Sequence, residues 1–202
     1  MGDKPVINMS TPIAQAAVDI AHAAGKPVFT HPQNRVGVDN ALAAGVDVLA
    51  HTIPNEDGYT AEELARMKAQ GTALVPTLAL WKFVTRGQPA QISDGFLAAG
   101  VAELKSYFDA GGTILFGTDV GFQDEFDTTH ELEYMGRVMP WRDVLASLTT
   151  NPSRFFKSAS RGRVEPGAAA DLVILDADPA ADVRNLARVS ATIRGGRVIY
   201  GP

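Results

Sequence analysis

Lys26-Pro-Val-Phe-Thr-His31 and Val46-Asp-Val-Leu-Ala-His51 are two short apolar runs, each closed by a histidine. A glycine precedes each one, Gly25 and Gly45. Ahead of each glycine lies an Ala-rich stretch with apolar residues at helical spacing, Thr11 to Ala24 and Val38 to Ala44. Glycine at C′ accepts the left-handed conformation that ends a helix. Each unit therefore reads as helix, stop, strand, histidine. Runs such as Val46 to Ala50 lack polar alternation, as parallel strands buried on both faces should.

Working outward, the pattern repeats. Thr60 to Gln70 reads as a helix with Thr60 as N-cap and Glu63 three residues on, the capping-box spacing. Gly71 stops it, and Thr72 to Thr77 is a third apolar run. Residues 77–93 contain Gln, Gly and Pro and read as a loop. Ser93 to Ala110 reads as a longer helix ended by Gly111-Gly112, followed by Thr113-Ile-Leu-Phe-Gly-Thr-Asp119 as a fourth strand, closed by a carboxylate. Helices are expected at Thr128 to Val138 and Pro140 to Thr149, with a short one opened by Asn151-Pro152. Buried strands alternating with helices specify an α/β fold with parallel βα units.

Past residue 160 the texture changes. Arg163-Val-Glu-Pro-Gly-Ala-Ala-Ala-Asp-Leu-Val-Ile-Leu-Asp176 reads as a turn followed by a strand, and Val189 to Arg194 and Arg197 to Tyr200 as two further strands joined by the hairpin dipeptide Gly195-Gly196. The expected division is a βα domain over 1–160 and a β-rich tail over 161–202.

Composition narrows the function. The 202 residues are 46% hydrophobic and 20% charged, an ordinary globular balance. A net charge of −5 argues against a nucleic-acid partner, which needs a basic face. No apolar stretch spans a bilayer, and the N-terminus shows no secretory core, so a cytoplasmic protein with a small-molecule substrate is expected. Cysteine is absent, so any metal must be held by His and carboxylate.

Three runs end in a metal-competent side chain: His31, His51 and Asp119. Side chains at the C-terminal ends of parallel strands face a common mouth. Two imidazoles and a carboxylate without thiols suit a divalent ion such as Zn²⁺. A single histidine at a strand end is more often a satisfied polar residue. Two at matching points of consecutive units, in a chain with four histidines, are the strongest internal signal. His22 falls on a helix and reads as a surface or interhelical residue. His130, at a helix start, reads equally as a substrate contact or a structural residue. Trp81, Phe83 and Arg86 are candidates to line a pocket, with a solvated arginine the plainer reading of Arg86. Phe122 to Phe126 is expected to border the mouth.

The ordered set Ala21-His-Ala-Ala-Gly-Lys-Pro-Val-Phe-Thr-His31, Ala44-Gly-Val-Asp-Val-Leu-Ala-His51, Gly117-Thr-Asp119, Thr149-Thr-Asn-Pro152 and Glu165-Pro-Gly-Ala-Ala-Ala-Asp-Leu-Val-Ile-Leu-Asp176 resembles the amidohydrolase superfamily. Within it, the likeness is to the imidazolonepropionase-like and prolidase-like branch. The resemblance implies a partial TIM-like (β/α) barrel, about strands five to eight, with part of a small β-sandwich. It implies that His31 and His51 are the metal ligands of strands five and six. Asp119 would be the strand-eight aspartate, which binds metal and shuttles a proton. The implied reaction is hydrolysis of an amide, cyclic amide or dipeptide-like C–N bond by metal-activated water.

The same resemblance predicts features that are missing. No His-x-His pair occurs, and Lys4 stands too early for a strand-four lysine; Met1-Gly-Asp-Lys-Pro-Val reads as the loop after that strand. The expectation is a fragment of a longer enzyme, or a chain that pairs with another, such as a second copy completing the barrel. The competing reading is a catalytically inactive scaffold that keeps the fold without the chemistry.

Overall fold

In a computed structural model the described residues are 7–54, 58–124 and 126–202. The segment Met1 to Val6, including Lys4, therefore lies outside them. The chain divides into two compact units, Met1–Ile114 and Leu115–Pro202.

The first unit holds α1 (Thr11–Ala23), β1 (Phe29–Thr30), α2 (Arg35–Ala44), β2 (Val48–Ala50), α3 (Ala61–Gln70), β3 (Ala73–Val75), α4 (Ala79–Val84) and α5 (Ala90–Asp109). The three strands form one parallel sheet in sequence order, with Phe29 opposite Val48 and Val48 opposite Ala73. Helices separate consecutive strands, so each βα unit adds the next strand beside the last. Val48, Leu49, Ala73 and Leu74 are fully buried, which explains the unbroken apolar runs. On the helices, Val38, Leu42, Met67 and Leu104 are fully buried as well.

Local chemistry fixes the helix ends. Thr60 accepts from the Glu63 amide while Glu63 reaches back to the Thr60 amide, completing the capping box. Gly45 and Gly71 end α2 and α3 in the left-handed region, at φ 78° and 70°. Helix α2 starts at Arg35 rather than Val38, because the Asn34 side chain accepts from the Gly37 amide and caps it earlier. The expected loop after β3 contains α4, whose Ala79 and Leu80 are buried.

The fourth apolar run differs from expectation. Of it only Ile114 pairs, as an isolated parallel bridge to Leu74, with the Leu74 amide donating to the Thr113 carbonyl. That bridge still continues the order of the parallel sheet by one position.

The second unit contains α6 (Thr129–Gly136), α7 (Trp141–Leu148), α8 (Thr150–Phe155), a 3-10 turn at Val183–Ala187 and strands β4 (Leu172–Leu175), β5 (Val189–Arg194) and β6 (Arg197–Tyr200). Leu132, Met135 and Val144 are buried. The strands form an antiparallel sheet ordered β4-β5-β6, and Arg194 faces Arg197 across the Gly195-Gly196 turn. Val173, Ile174, Val198, Ile199 and Tyr200 are exposed on it.

Candidate metal centre

His31 and His51 each follow directly on the last residue of a strand, β1 and β2. The two strands are adjacent and parallel, with Thr30 opposite Leu49, so their ends lie next to each other one residue out of step. The imidazole centroids lie 4.4 Å apart with the rings at 71°. His51 is buried, at 5% exposure. His31 also borders an open cavity of about 500 Å³, whose polar lining includes Asn8, Thr30, Gln33 and Asn40.

His51 is held firmly. Its amide donates to the Val75 carbonyl at 2.8 Å, which extends the sheet past β2. Its Nδ1 lies 2.6 Å from the Thr77 hydroxyl. The next residue, Thr52, accepts from the Trp81 indole at 2.8 Å. Gly100 allows that contact, since a Cβ there would stand 2.9 Å from both Thr52 and Trp81. Trp81 on α4 thus holds the side chain of the residue that follows His51.

Backbone conformation marks the same places. Among the described residues four non-glycines have positive φ: His51 at 73°, Thr77 at 47°, Asp119 at 60° and Lys157 at 54°. Three of these close apolar runs. Left-handed backbone is costly for non-glycine residues, and most so for a β-branched one. Such outliers cluster where side chains must be aimed.

Asp119 belongs to the second unit. The amides of Phe122 and Gln123 both donate to its carbonyl at 3.2 Å, forming a tight turn. Gln123 is buried and its side-chain amide donates to the Thr118 carbonyl. Phe122 and Phe126 are exposed, and residue 125 lies outside the described set.

The remaining candidates have local partners. His22 Nε2 stands 2.8 Å from Asp47 Oδ2, tying the end of α1 to the residue before β2. His130 stacks on Tyr134, centroids 5.9 Å apart, near Glu133. The Arg86 guanidinium lies 3.7 Å above the Phe83 ring. Thr77 was not singled out from the sequence. The available signal was that the third run, like the first two, ends in a polar side chain.

Residues 1–199 match the amidohydrolase family. The chain belongs to that family. A Xaa-Pro dipeptidase with methionine bound in its active site is 25% identical, with a TM-score of 0.83 over 100% of this chain and 51% of that one. A prolidase complexed with N-methylphosphonate-L-proline is 26% identical, with a TM-score of 0.81 over 98% and 52%. An uncharacterized protein of Mycobacterium tuberculosis is 28% identical over 96% of this chain and 53% of its own. The chain thus spans about half the length of these relatives. The two solved structures share the α/β architecture of this chain.

Amidohydrolases generally use divalent metals. The imidazole pair fits such an ion as part of a ligand set: two nitrogen donors, adjacent, one of them buried and oriented. Among the described residues no group of three or more His, Asp and Glu side chains is assembled that would hold a metal. A divalent ion held by this pair would need donors beyond those the described residues gather. None of the described helices is long and apolar enough to cross a membrane.

Proposed function

We propose that this chain carries one part of the active site of a metal-dependent hydrolase acting on a dipeptide-like or other amide C–N bond. The observation that carries the reading is the 4.4 Å pairing of His31 and His51 at neighbouring strand ends. Its setting in an amidohydrolase chain similar to a Xaa-Pro dipeptidase and a prolidase supports the substrate class. The barrel reading, in which β1 to β3 and the Ile114 bridge belong to a partial (β/α) barrel, follows the same likeness.

His31 and His51 would hold the ion through ring nitrogens. Zn²⁺ is the choice for two imidazoles, a carboxylate and no thiolate. When bound, a divalent cation supplies Lewis acidity and makes water a nucleophile near neutral pH. Asp119 would take the proton from the attacking water and return it to the leaving nitrogen. Its left-handed backbone suits an aspartate that has to be aimed, since Asp and Asn enter that region more readily than other side chains.

The missing donors would come from further protein, with a second copy of this chain as the proposed partner. The exposed apolar side chains of Phe29 and Ile20, at 49% and 74%, support such a contact. The competing reading, an inactive scaffold, is favoured by the absence of a three-ligand cluster among the described residues. One experiment separates the two. Zn²⁺ binding would be followed by titration calorimetry and proline release from a Xaa-Pro dipeptide, for the parent chain and for His31→Gln and His51→Gln. Stoichiometric metal lost in both variants supports the hydrolase. No uptake by the parent, alone or as an oligomer in sedimentation, leaves the scaffold.

A further inference from the structure

The Thr77 hydroxyl has one proton and two neighbours. It lies 2.9 Å from the Pro76 carbonyl, which can only accept, and 2.6 Å from His51 Nδ1. If the hydroxyl donated to Nδ1, the Pro76 contact would set two acceptors against each other. If it donates to Pro76, Nδ1–H can donate back to Oγ1 and both contacts become hydrogen bonds. The second arrangement satisfies both contacts in a place where an unmet donor or acceptor is expensive, since Thr77 and His51 are both buried.

We propose that Thr77 is a positioning residue that fixes His51 as the Nδ1–H tautomer and so presents the Nε2 lone pair as the ligating atom. This rests on the metal-ligand reading of His51 given above. A neutral imidazole with its second N–H anchored to a fixed acceptor is the form in which histidine binds metal. The usual anchor is a carboxylate or backbone carbonyl. Here a hydroxyl relays the bond to a carbonyl. The backbone serves the same end: Thr77 at φ 47° and His51 at φ 73° are both held left-handed just past paired strands, a conformation that a β-branched threonine adopts at a cost.

Two substitutions separate the hydroxyl from the shape. Thr77→Val keeps the β-branch and its strain but removes the hydroxyl; Thr77→Ser keeps the hydroxyl and relieves the branch. The readout is the tautomer pattern of His51 in long-range ¹H–¹⁵N spectra of the metal-free chain. His51 is assigned by elimination with His22→Gln, His31→Gln and His130→Gln. The expected result is Nδ1 protonated in the parent and in Thr77→Ser, with that pattern lost in Thr77→Val. Zn²⁺ affinity should fall roughly 10- to 100-fold in Thr77→Val and recover in Thr77→Ser. A parent His51 protonated on Nε2 would overturn the proposal, even if Thr77→Val failed to fold, and so would an unchanged pattern in Thr77→Val. A parent that shows the Nδ1–H form yet binds no metal would instead remove the hydrolase reading and leave the tautomer assignment standing.

Discussion

Arg35 on α2 and Glu63 on α3 form an ion pair at 2.6 Å across the first unit. The same Glu63 oxygen accepts from the Thr60 amide and hydroxyl, so one carboxylate both caps α3 and receives α2. The second Arg35 nitrogen donates to the Gly58 carbonyl at 2.5 Å, within the loop that follows His51. Glu63 is almost fully buried and Arg35 is partly exposed.

Arg35→Ala should therefore leave a buried carboxylate with only the Thr60 donors. A loss of about 1.5–3 kcal/mol is expected, the range for a hydrogen bond to a charged group. Breaking a fully buried pair costs more, and here Thr60 and partial solvent contact soften the effect. A urea midpoint that does not move would contradict this.

Stability should fall at alkaline pH through Tyr107. Its hydroxyl donates to the Thr72 carbonyl, and burial pushes its pKa from 10.0 up to about 12. Between those values the unfolded chain loses the proton that the folded chain keeps, so the unfolded state binds fewer protons and stability declines as pH rises. The contribution is complete below pH 10 and gone above about 12. Tyr59 adds in the same direction, raised by burial and then by the nearby Glu103 and Glu63 carboxylates. Tyr107→Phe should flatten part of this slope in unfolding curves recorded from pH 9 to 12, while costing about 1–3 kcal/mol at neutral pH through the unmet Thr72 carbonyl.

Gly112 packs against the same ring. A Cβ placed there would lie 2.3 Å from Tyr107 Cζ. Gly112→Ala should destabilise by roughly 1–3 kcal/mol through overpacking. Combined with Tyr107→Ala, which empties the space, the two losses should be clearly less than additive in a double-mutant cycle.

Metal should stabilise the fold if the imidazole pair binds it. At a free Zn²⁺ concentration about 100 times its Kd, the gain is about 2.7 kcal/mol. EDTA should reverse it, and His51→Gln should show neither effect. Thermal unfolding with and without chelator is the measurement.

Asp119→Asn offers a clean separation of chemistry from conformation. Asparagine tolerates the left-handed backbone that Asp119 adopts at φ 60°, so the fold should survive with an unchanged circular dichroism spectrum. Proline release from a dipeptide should drop by 10²- to 10⁴-fold, the usual contribution of a general base. Retained turnover would remove Asp119 from the proposed reaction.

Much of the framework was legible because it is written in local chemistry. The Thr60–Glu63 spacing, the stops at Gly45 and Gly71, and the hairpin at Gly195-Gly196 each depend on residues close in sequence. The histidines at matching strand ends were legible for the same reason, and the pairing of β1 with β2 turned that spacing into ring contact. What escaped depended on tertiary partners. Residues Ala79 to Val84 are too few to show a helical period, and α4 forms around buried Ala79 and Leu80. The run from Thr113 to Asp119 announces burial, but pairing beyond Ile114 is not encoded in hydrophobicity alone. The bond from His51 to Thr77 joins residues 26 positions apart, a distance no local pattern reports.

The β4-β5-β6 sheet also bears on how the chain behaves in solution. Its outer strands β4 and β6 carry Val173, Ile174, Val198, Ile199 and Tyr200 at the surface. A short β-rich segment with that composition is a template for aggregation. The facing Arg194 and Arg197 place two like charges at the hairpin end, and like charges directly opposite weaken their own pairing slightly. They also act as gatekeepers, because a foreign strand docking on β6 would have to accept a cation at its first rung.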